Sequence, residues 1–473
     1  MFNSIHEECG VVGIYEFENK KIASSIYFTL QALQHRGQES AGIAVCDCGI
    51  FKQYKGLGLV NDVFKQDIID KINDGNIAIG HVRYSTTGLN NINNIQPLVI
   101  RHIKGNLALA HNGNLTNANE LRCLNEMHGA IFHGTSDTES ILYCIVRERL
   151  KTGSIEEAIE KTMDKISGAY SCVAMSPKKL IAFRDPNGFR PLSLGMTKTG
   201  GYIVASETCA IDSIGGTFIR DIEPGEILVI SEDGLKSIYK EKKKNSFCIF
   251  EYIYFSRPDS VLEGTSVHKA RVLSGRLLAK ESPVDADIVI GVPDSGLDAA
   301  LGYSMESNIP YGIGFVKNKY MGRSFIMPEQ ELRENIVSIK LNVIKENITN
   351  KRVVLIDDSI VRGTTIKKII TLLKNAGAKE VHVRIPSPPF RYPCYFGTDI
   401  DSKDKLIANK CGSIEEIKDY IGATSLAYIS TNSLKKITGE NKCCYCMACF
   451  TGKYPVKPPT STEKNKFEQK IAK

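Results

Sequence analysis

The 473 residues predict a layered α+β half followed by an α/β half built on a parallel sheet. Three observations carry this. Up to about Lys240, runs such as GVVGIYEF, NIAIGHVRY, NLALAHNG and YSCVAMS bunch β-branched and aromatic residues and stop at Gly, Asn or Ser, as strands do. Beyond it, ADIVIGVPD, KRVVLIDDS and VHVRI alternate with helical stretches. The run VVLI is continuous and apolar, as in a parallel strand covered on both faces. A prior of roughly 150 residues per domain also suggests two or three domains.

Taken in order, the first half sets helical patches between its strands. SSIYFTLQALQ and TESILYCIVRERL space apolar residues by three and four. The charged run from Lys240 to Asn245 reads as a solvated loop and gives the approximate domain boundary. The predicted units are 9–240, 246–435 and a cysteine-rich segment and tail, 436–473. In the second half, the helix after Gly363 should end at Asn375-Ala376-Gly377, where Gly takes a left-handed cap. Strand, turn and helix there make a βαβ unit. The tail after Lys453, with Pro455, Pro458, Pro459 and many Lys, is expected to pack poorly.

Composition excludes several classes. Sixty Lys+Arg against 53 Asp+Glu leave +7, suited to anionic ligands and too weak and scattered for nucleic acid. A hydrophobic share of 42% and a mean hydropathy of −0.14 are globular values, against disorder or collagen-like repeats. No stretch of about 18 apolar residues could span a membrane. MFNSIHEECG lacks the basic and apolar regions of a secretory signal, so a cytoplasmic protein is expected. Fourteen Cys in a reducing compartment do not read as seven disulfides.

The segment VVLIDDSIVRGTT, residues 353–365, ends a buried strand in two adjacent carboxylates, Asp357 and Asp358. A turn then opens a helix at Arg362-Gly363-Thr364-Thr365. Backbone amides at a helix N-terminus bind phosphate, and Gly permits close approach. Two acids beside such a cradle suit ribose hydroxyls or a hydrated Mg²⁺. The plain alternative is an ordinary acidic β–α turn. The segment resembles the phosphoribosyl pyrophosphate (PRPP) motif of type I phosphoribosyltransferases. That resemblance implies that Asp357 and Asp358 hold the ribose, that Arg362, Gly363, Thr364 and Thr365 hold the 5-phosphate, and that Ser359 belongs to the same PRPP-binding set. GVPDSG, residues 291–296, resembles the family's pyrophosphate loop, with Asp294 and Ser295 near the metal. Mg²⁺ would then lie at Ser295, Asp357 and Asp358. GFVKNKYMGRSF, residues 314–325, resembles the loop that closes over PRPP, with Lys317, Lys319 and Arg323 against the leaving pyrophosphate. By themselves those three cations would read as solvated surface.

In the first half, Cys9 precedes Gly10 in EECGVVGIYEF. A free Cys at a strand is usually core, but His6, Glu7 and Glu8 are poor core material. LQHRGQESAGI, GHVRYSTTG, AHNGNL and TSDTES follow in that order. With Cys9 they resemble the N-terminal-nucleophile glutamine amidotransferases, a fold of αββα layers, and RDPNGFRPLSLG and SETCA also fit. The resemblance implies removal of residues 1–8, leaving Cys9 with a thiol nucleophile and an α-amine of pKa about 7.7–8.0 as base. It implies Arg83 on the glutamine α-carboxylate, Asp137 on its ammonium, and Asn112 with the Gly113 N–H as oxyanion hole.

Together the halves resemble the family of glutamine-dependent PRPP amidotransferases, in its iron–sulfur form, with EYIYFSRPDS at the domain junction. The implied reaction sends ammonia from glutamine to PRPP, giving 5-phosphoribosylamine, pyrophosphate and glutamate, the first committed step of purine synthesis. Purine nucleotides as feedback inhibitors and a homo-oligomer, tetramer or dimer, are implied as well. The cysteines of NKCCYCMACF have metal-ligand spacing. By resemblance, Cys248, Cys394, Cys443 and Cys446 hold a [4Fe–4S] cluster, Cys449 is not a ligand, and Cys444 is an adjacent extra. Structural Zn²⁺ at four thiolates is the alternative. Two rival functions make different demands: a regulator that binds PRPP without catalysis would predict decay of Cys9, Arg83, Asn112 and Asp137, and an amidotransferase making glucosamine phosphate would need a sugar-isomerase half.

Overall fold

The computed structural model describes residues 9–18, 21–84, 91–241, 243–318, 341–398, 400, 402–439 and 444–459. Lys319, Arg323, Cys443 and residues 1–8 lie outside these.

The first half stacks two antiparallel sheets between helices. One sheet runs Thr217–Asp221, Ser193–Met196, Tyr202–Ala205, Gly10–Tyr15, Ile77–Arg83, Ser40–Asp47, Ile50–Leu57 from edge to edge. The other runs Gly234–Tyr239, Glu226–Ser231, Leu180–Arg184, Gly168–Met175, Gly105–Leu115, Leu98–His102. Because strand side chains alternate, each sheet offers two apolar faces. Val11, Ala44 and Ile79 meet Ala108, Val173 and Ile230 in the layer between the sheets. Helices Ile22–Ala32 and Thr208–Ser213 cover the outside of the first sheet. Asp137–Arg149 and Ile155–Met163 cover the outside of the second. The result is the expected αββα arrangement. Helix Ile22–Ala32 buries Ile22, Ile26 and Leu30, a stripe spaced by four. Each such fully buried side chain contributes about 1.5–3 kcal/mol.

The second half holds a four-stranded parallel sheet in the order Ile288–Gly291, Arg352–Ile356, Glu380–Ile385, Ser425–Tyr428. Val354 and Ile356 face helices Val267–Glu281 and Leu297–Ser307. Val353 and Leu355 face Thr364–Asn375 and Ile414–Ile421. The uninterrupted VVLI run is thus explained, since alternate residues serve two cores. The helix that opens at Thr364 ends at Asn375, and Gly377 follows with φ +89°.

The junction is made by a two-stranded parallel pairing of Phe247–Cys248 with Tyr445–Cys446. Phe189 stacks on Phe396 at 4.3 Å, and Asn114 Nδ2 donates to the Tyr395 carbonyl at 3.0 Å, so the two halves share packing and hydrogen bonds. The expectation of a poorly packed tail fails just after Lys453. Tyr454 Oη donates to the Pro393 carbonyl at 2.7 Å, and Val456 joins a small core with Phe189 and Phe396. An aromatic ring with a polar tip found both an apolar shelf and an acceptor. Among the described residues, no helix is long and apolar enough to cross a membrane.

Candidate functional site

Cys9 stands at the start of the central strand of the first sheet. The antiparallel register sets Gly10 opposite Val82, so Arg83 at the end of the neighbouring strand comes up beside Cys9. From the second sheet, the strand Gly105–Leu115 contributes His111, Asn112 and Gly113. The helix Asp137–Arg149 begins with Asp137 itself, and its cap Ser136 accepts from the Thr138 N–H at 3.3 Å. Cys9, Arg83, Tyr84, Gln96, His111, Gly113, Ser136, Asp137 and Thr138 line one small cleft. Two sheets and one helix start therefore converge on the thiol.

Polar groups in the cleft are oriented by firm contacts. Cys9 Sγ donates to the Tyr84 carbonyl at 3.4 Å. Asp137 Oδ2 accepts from the Leu115 N–H at 2.9 Å, leaving its charge near the cleft. Gln96 Oε1 accepts from the His111 N–H at 2.7 Å. Burial pushes the His111 imidazole pKa down, against the opposing pull of Asp137, and burial also pushes His81 down, to about 3. Both rings are neutral near pH 7, so Arg83 is the one cation lining the cleft among the described residues.

Asn112 is outside the lining groups but directly precedes Gly113. Its Nδ2 is buried without a hydrogen-bond partner, a donor not yet committed. Gly113 has φ +142°, and a Cβ there would meet the Ala169 carbonyl oxygen at 2.1 Å. Only glycine allows the strand to turn its backbone this way. The site thus offers a thiol, one guanidinium, one carboxylate and an uncommitted amide donor. That set can clamp an α-amino acid by both charged ends and attack a side-chain amide.

The second cluster lies at the carboxyl end of the parallel sheet, where such folds bind ligands. Asp357 and Asp358 follow the strand Arg352–Ile356 and are 8% exposed each. Ser295 Oγ donates to Asp358 Oδ1 at 2.6 Å, which brings the 291–296 loop onto the acid pair, and Ser359 Oγ donates to Oδ2. Burial, then the charge of Asp358, pushes the Asp357 carboxyl pKa well up. Burial raises Asp358 too, while Ser295, Ser359 and Arg271 pull the other way. Both shifts favour the protonated form of the pair. Gly363, at φ +77°, caps the helix Thr364–Asn375 with no side chain bonded to its first N–H groups and no acid in its first turn. Those donors suit a phosphate. Lys317 Nζ pairs with Asp294 Oδ2 across the exposed mouth.

The thiols form a third group. Cys248 and Cys446 are register partners, and Cys394 Sγ accepts from the Phe396 N–H at 3.4 Å. Burial pushes the Cys449 thiol pKa well up, and Cys394, Cys248 and Cys446 add to the rise. Cys449 is thus within electrostatic reach of the other three, although the resemblance sets it aside as a non-ligand. The signal was present, since CxxCxxC contains two overlapping CxxC pairs and spacing alone cannot choose between them. Among the described residues, no three His, Cys, Asp or Glu side chains converge tightly enough for a single ion. Also unforeseen were Gln96, His111 and Thr138 in the cleft, and Arg36 behind it. Arg36 lies in LQHRGQESAGI and donates through Nε to the Cys9 carbonyl at 3.1 Å.

Known proteins resemble this chain in both halves. Residues 81–213 match a glutamine amidotransferase domain, and residues 267–386 match a phosphoribosyl transferase domain. An amidophosphoribosyltransferase of Archaeoglobus fulgidus is 48% identical over 454 residues, covering 95% of this chain and 98% of the relative. A solved glutamine PRPP amidotransferase from B. subtilis, in complex with ADP and GMP, is 46% identical with a TM-score of 0.88, covering 95% of this chain and 98% of that one. A solved allosteric regulatory enzyme of purine biosynthesis is 45% identical with a TM-score of 0.91, over 98% and 99%.

Proposed function

The chain belongs to the amidophosphoribosyltransferase family, and we propose that its two clusters carry the two halves of that reaction. It is a glutamine-dependent PRPP amidotransferase of purine biosynthesis. The observation that carries the reading is the coexistence, in one chain, of a charge-clamped thiol cleft and an acid pair beside an open helix N-terminus. Pyrophosphate release that requires both glutamine and PRPP is the assay. Failure of either dependence overturns the reading.

Arg83 and Asp137 bind the two charged ends of glutamine. Cys9 attacks the side-chain amide, and its α-amine, freed by loss of residues 1–8, takes and returns the proton. Asn112 Nδ2 and the Gly113 N–H receive the developing oxyanion, whose collapse breaks the C–N bond, releases ammonia and leaves a Cys9 thioester that water hydrolyses to glutamate. Asn112→Ala should lower glutamine-dependent kcat about 10²–10³-fold with little change in KM, the usual signature of a donor used only in the transition state. Ammonia then attacks C1 of PRPP, with Asp357 and Asp358 on the ribose and Ser359, Arg362, Gly363, Thr364 and Thr365 around the 5-phosphate. Asp294, Lys317, Lys319 and Arg323 face the departing pyrophosphate.

The acid pair with Ser295 fits Mg²⁺, because two carboxylates that resist ionisation alone gain from a hard cation. Bound there, Mg²⁺ would neutralise pyrophosphate charge. For the thiols, we take Cys248, Cys394, Cys446 and Cys449 as the ligand set, with Cys449 in place of Cys443. The approach of Cys394, Cys248 and Cys446 to Cys449 supports a [4Fe–4S] cluster, with structural Zn²⁺ as the alternative. The cluster would crosslink the C-terminal segment to the transferase domain and contribute folding free energy. Anaerobically purified protein should carry about four irons per chain. Ser at Cys248, Cys394, Cys446 or Cys449 should give colourless, unstable protein, and Ser at Cys443 or Cys444 should not. Zinc without iron in active protein would sink the cluster. We further propose inhibition by purine nucleotides, a homo-oligomer (tetramer or dimer) and a cytoplasmic location. The ADP and GMP bound by the B. subtilis relative support the first.

A further inference from the structure

Behind Cys9 lies a buried ion network that crosses the domain junction. Arg36, Glu207, Glu251 and Arg190 are each at most 1% exposed. Arg36 NH1 donates to Glu207 Oε1 at 2.6 Å and to Glu251 Oε2 at 3.0 Å, and Arg36 NH2 donates to Glu251 Oε1 at 2.9 Å. Glu207 belongs to the amidotransferase half. Glu251 follows the junction strand Phe247–Cys248, on the transferase side. Two guanidinium groups balance two carboxylates in formal charge, which suits charges removed from water, and the His35 ring also meets Glu207 Oε1 at 2.7 Å.

Arg36 Nε donates to the Cys9 carbonyl at 3.1 Å. A guanidinium is a rigid plane, so fixing NH1 and NH2 fixes Nε. Glu251 is itself held from two more sides. Ser256 Oγ donates to its Oε2 at 2.6 Å, and Arg190 NH1 donates to its Oε1 at 3.3 Å. Arg190 also donates through Nε and NH2 to the Phe396 carbonyl, at 3.1 and 2.8 Å. At the other end of the same segment, Arg271 donates to the carbonyls of Tyr252, Tyr254 and Ser256 at 2.8, 3.0 and 2.7 Å.

We propose that Glu251 is a positioning residue for glutamine hydrolysis: acting through Arg36, a carboxylate of the transferase side sets the backbone of the nucleophile Cys9. This rests on the amidotransferase reading above. It implies that the glutaminase site is complete only when the two halves are docked. A nucleophile misplaced by about 1 Å costs on the order of 10²-fold in rate, while binding of glutamine by Arg83 and Asp137 is left intact.

Glu251→Gln tests this, with glutamine-dependent and ammonia-dependent synthesis measured on the same full-length preparation. Glutamine-dependent kcat should fall about 10–100-fold, KM for glutamine should hold within about threefold, and ammonia-dependent synthesis should persist. The double variant Arg190→Gln, Glu251→Gln restores a neutral cluster, so it guards against loss of folding from one uncompensated charge. It should show the same selective loss of kcat. Full glutamine-dependent activity in either folded variant would overturn the proposal, as would equal loss of the two activities in both. Wild-type protein lacking glutamine-dependent synthesis would instead sink the amidotransferase reading itself.

Discussion

Cys9→Ala should abolish glutamine-dependent synthesis, with a loss of ~10⁴-fold or more, because removal of a covalent nucleophile leaves only binding and electrostatic stabilisation. Synthesis from free ammonia should persist at near wild-type rate, since the acid pair and its phosphate cradle belong to the other half of the chain. Loss of both activities in folded protein would argue against two separable sites. Mass spectrometry should find Cys9 at the N-terminus of active enzyme. If active enzyme keeps residues 1–8, the α-amine is an amide nitrogen and cannot be the base. The same base fixes a pH dependence. An amine accepts a proton only when unprotonated, so glutamine-dependent kcat/KM should rise as pH increases through about 7.7–8.0, the range of an unperturbed α-amine. Ammonia-dependent synthesis in Cys9→Ala, expressed per unprotonated NH3, should lack that limb.

Asp357→Asn and Asp358→Asn should each lower synthesis on the order of 10²-fold or more, from glutamine and from ammonia alike, by misplacing PRPP and its cation. Basal glutaminase, assayed without PRPP, should remain, and its fall would be the damaging result. Stability should move the other way. Both carboxyl pKa values are raised in the folded chain, so the ionised pair opposes folding as pH climbs above the normal carboxylate range. The neutral amides remove that opposition, and thermal unfolding near pH 7 should occur at an equal or higher temperature. The same signs make Mg–PRPP affinity fall as pH drops, because the cation must displace a proton. Isothermal titration at several pH values would read this directly.

The layers of both halves were legible because strand and helix patterns are local, as VVLI and the stripe Ile22, Ile26, Leu30 illustrate. Cys9, Arg83, Gly113 and Asp137 could be named from ordered motifs, and one cleft gathers them. The ion network could not be read, since Arg36 and Glu251 stand 215 positions apart and each looks like ordinary surface charge in its own segment. The approach of Cys449 to the other thiols was not legible, because overlapping CxxC spacings are degenerate. Tyr454 escaped because its acceptor, Pro393, lies 61 positions earlier, in a Pro-containing turn with no periodic signal.

The parallel pairing of Phe247–Cys248 with Tyr445–Cys446 bears on biosynthesis of the chain. Its register partners are 445 − 247 = 198 positions apart. At about 5–20 residues per second, a ribosome needs roughly 10–40 s between making the first strand and making its mate. Throughout that interval Phe247, which ends fully buried, has no strand beside it. The amidotransferase layers can close early, but the junction must wait for Tyr445 and Cys446 to emerge. A stalled or prematurely terminated chain would present that unpaired edge to chaperones and proteases, so cells should clear C-terminally truncated products before they accumulate.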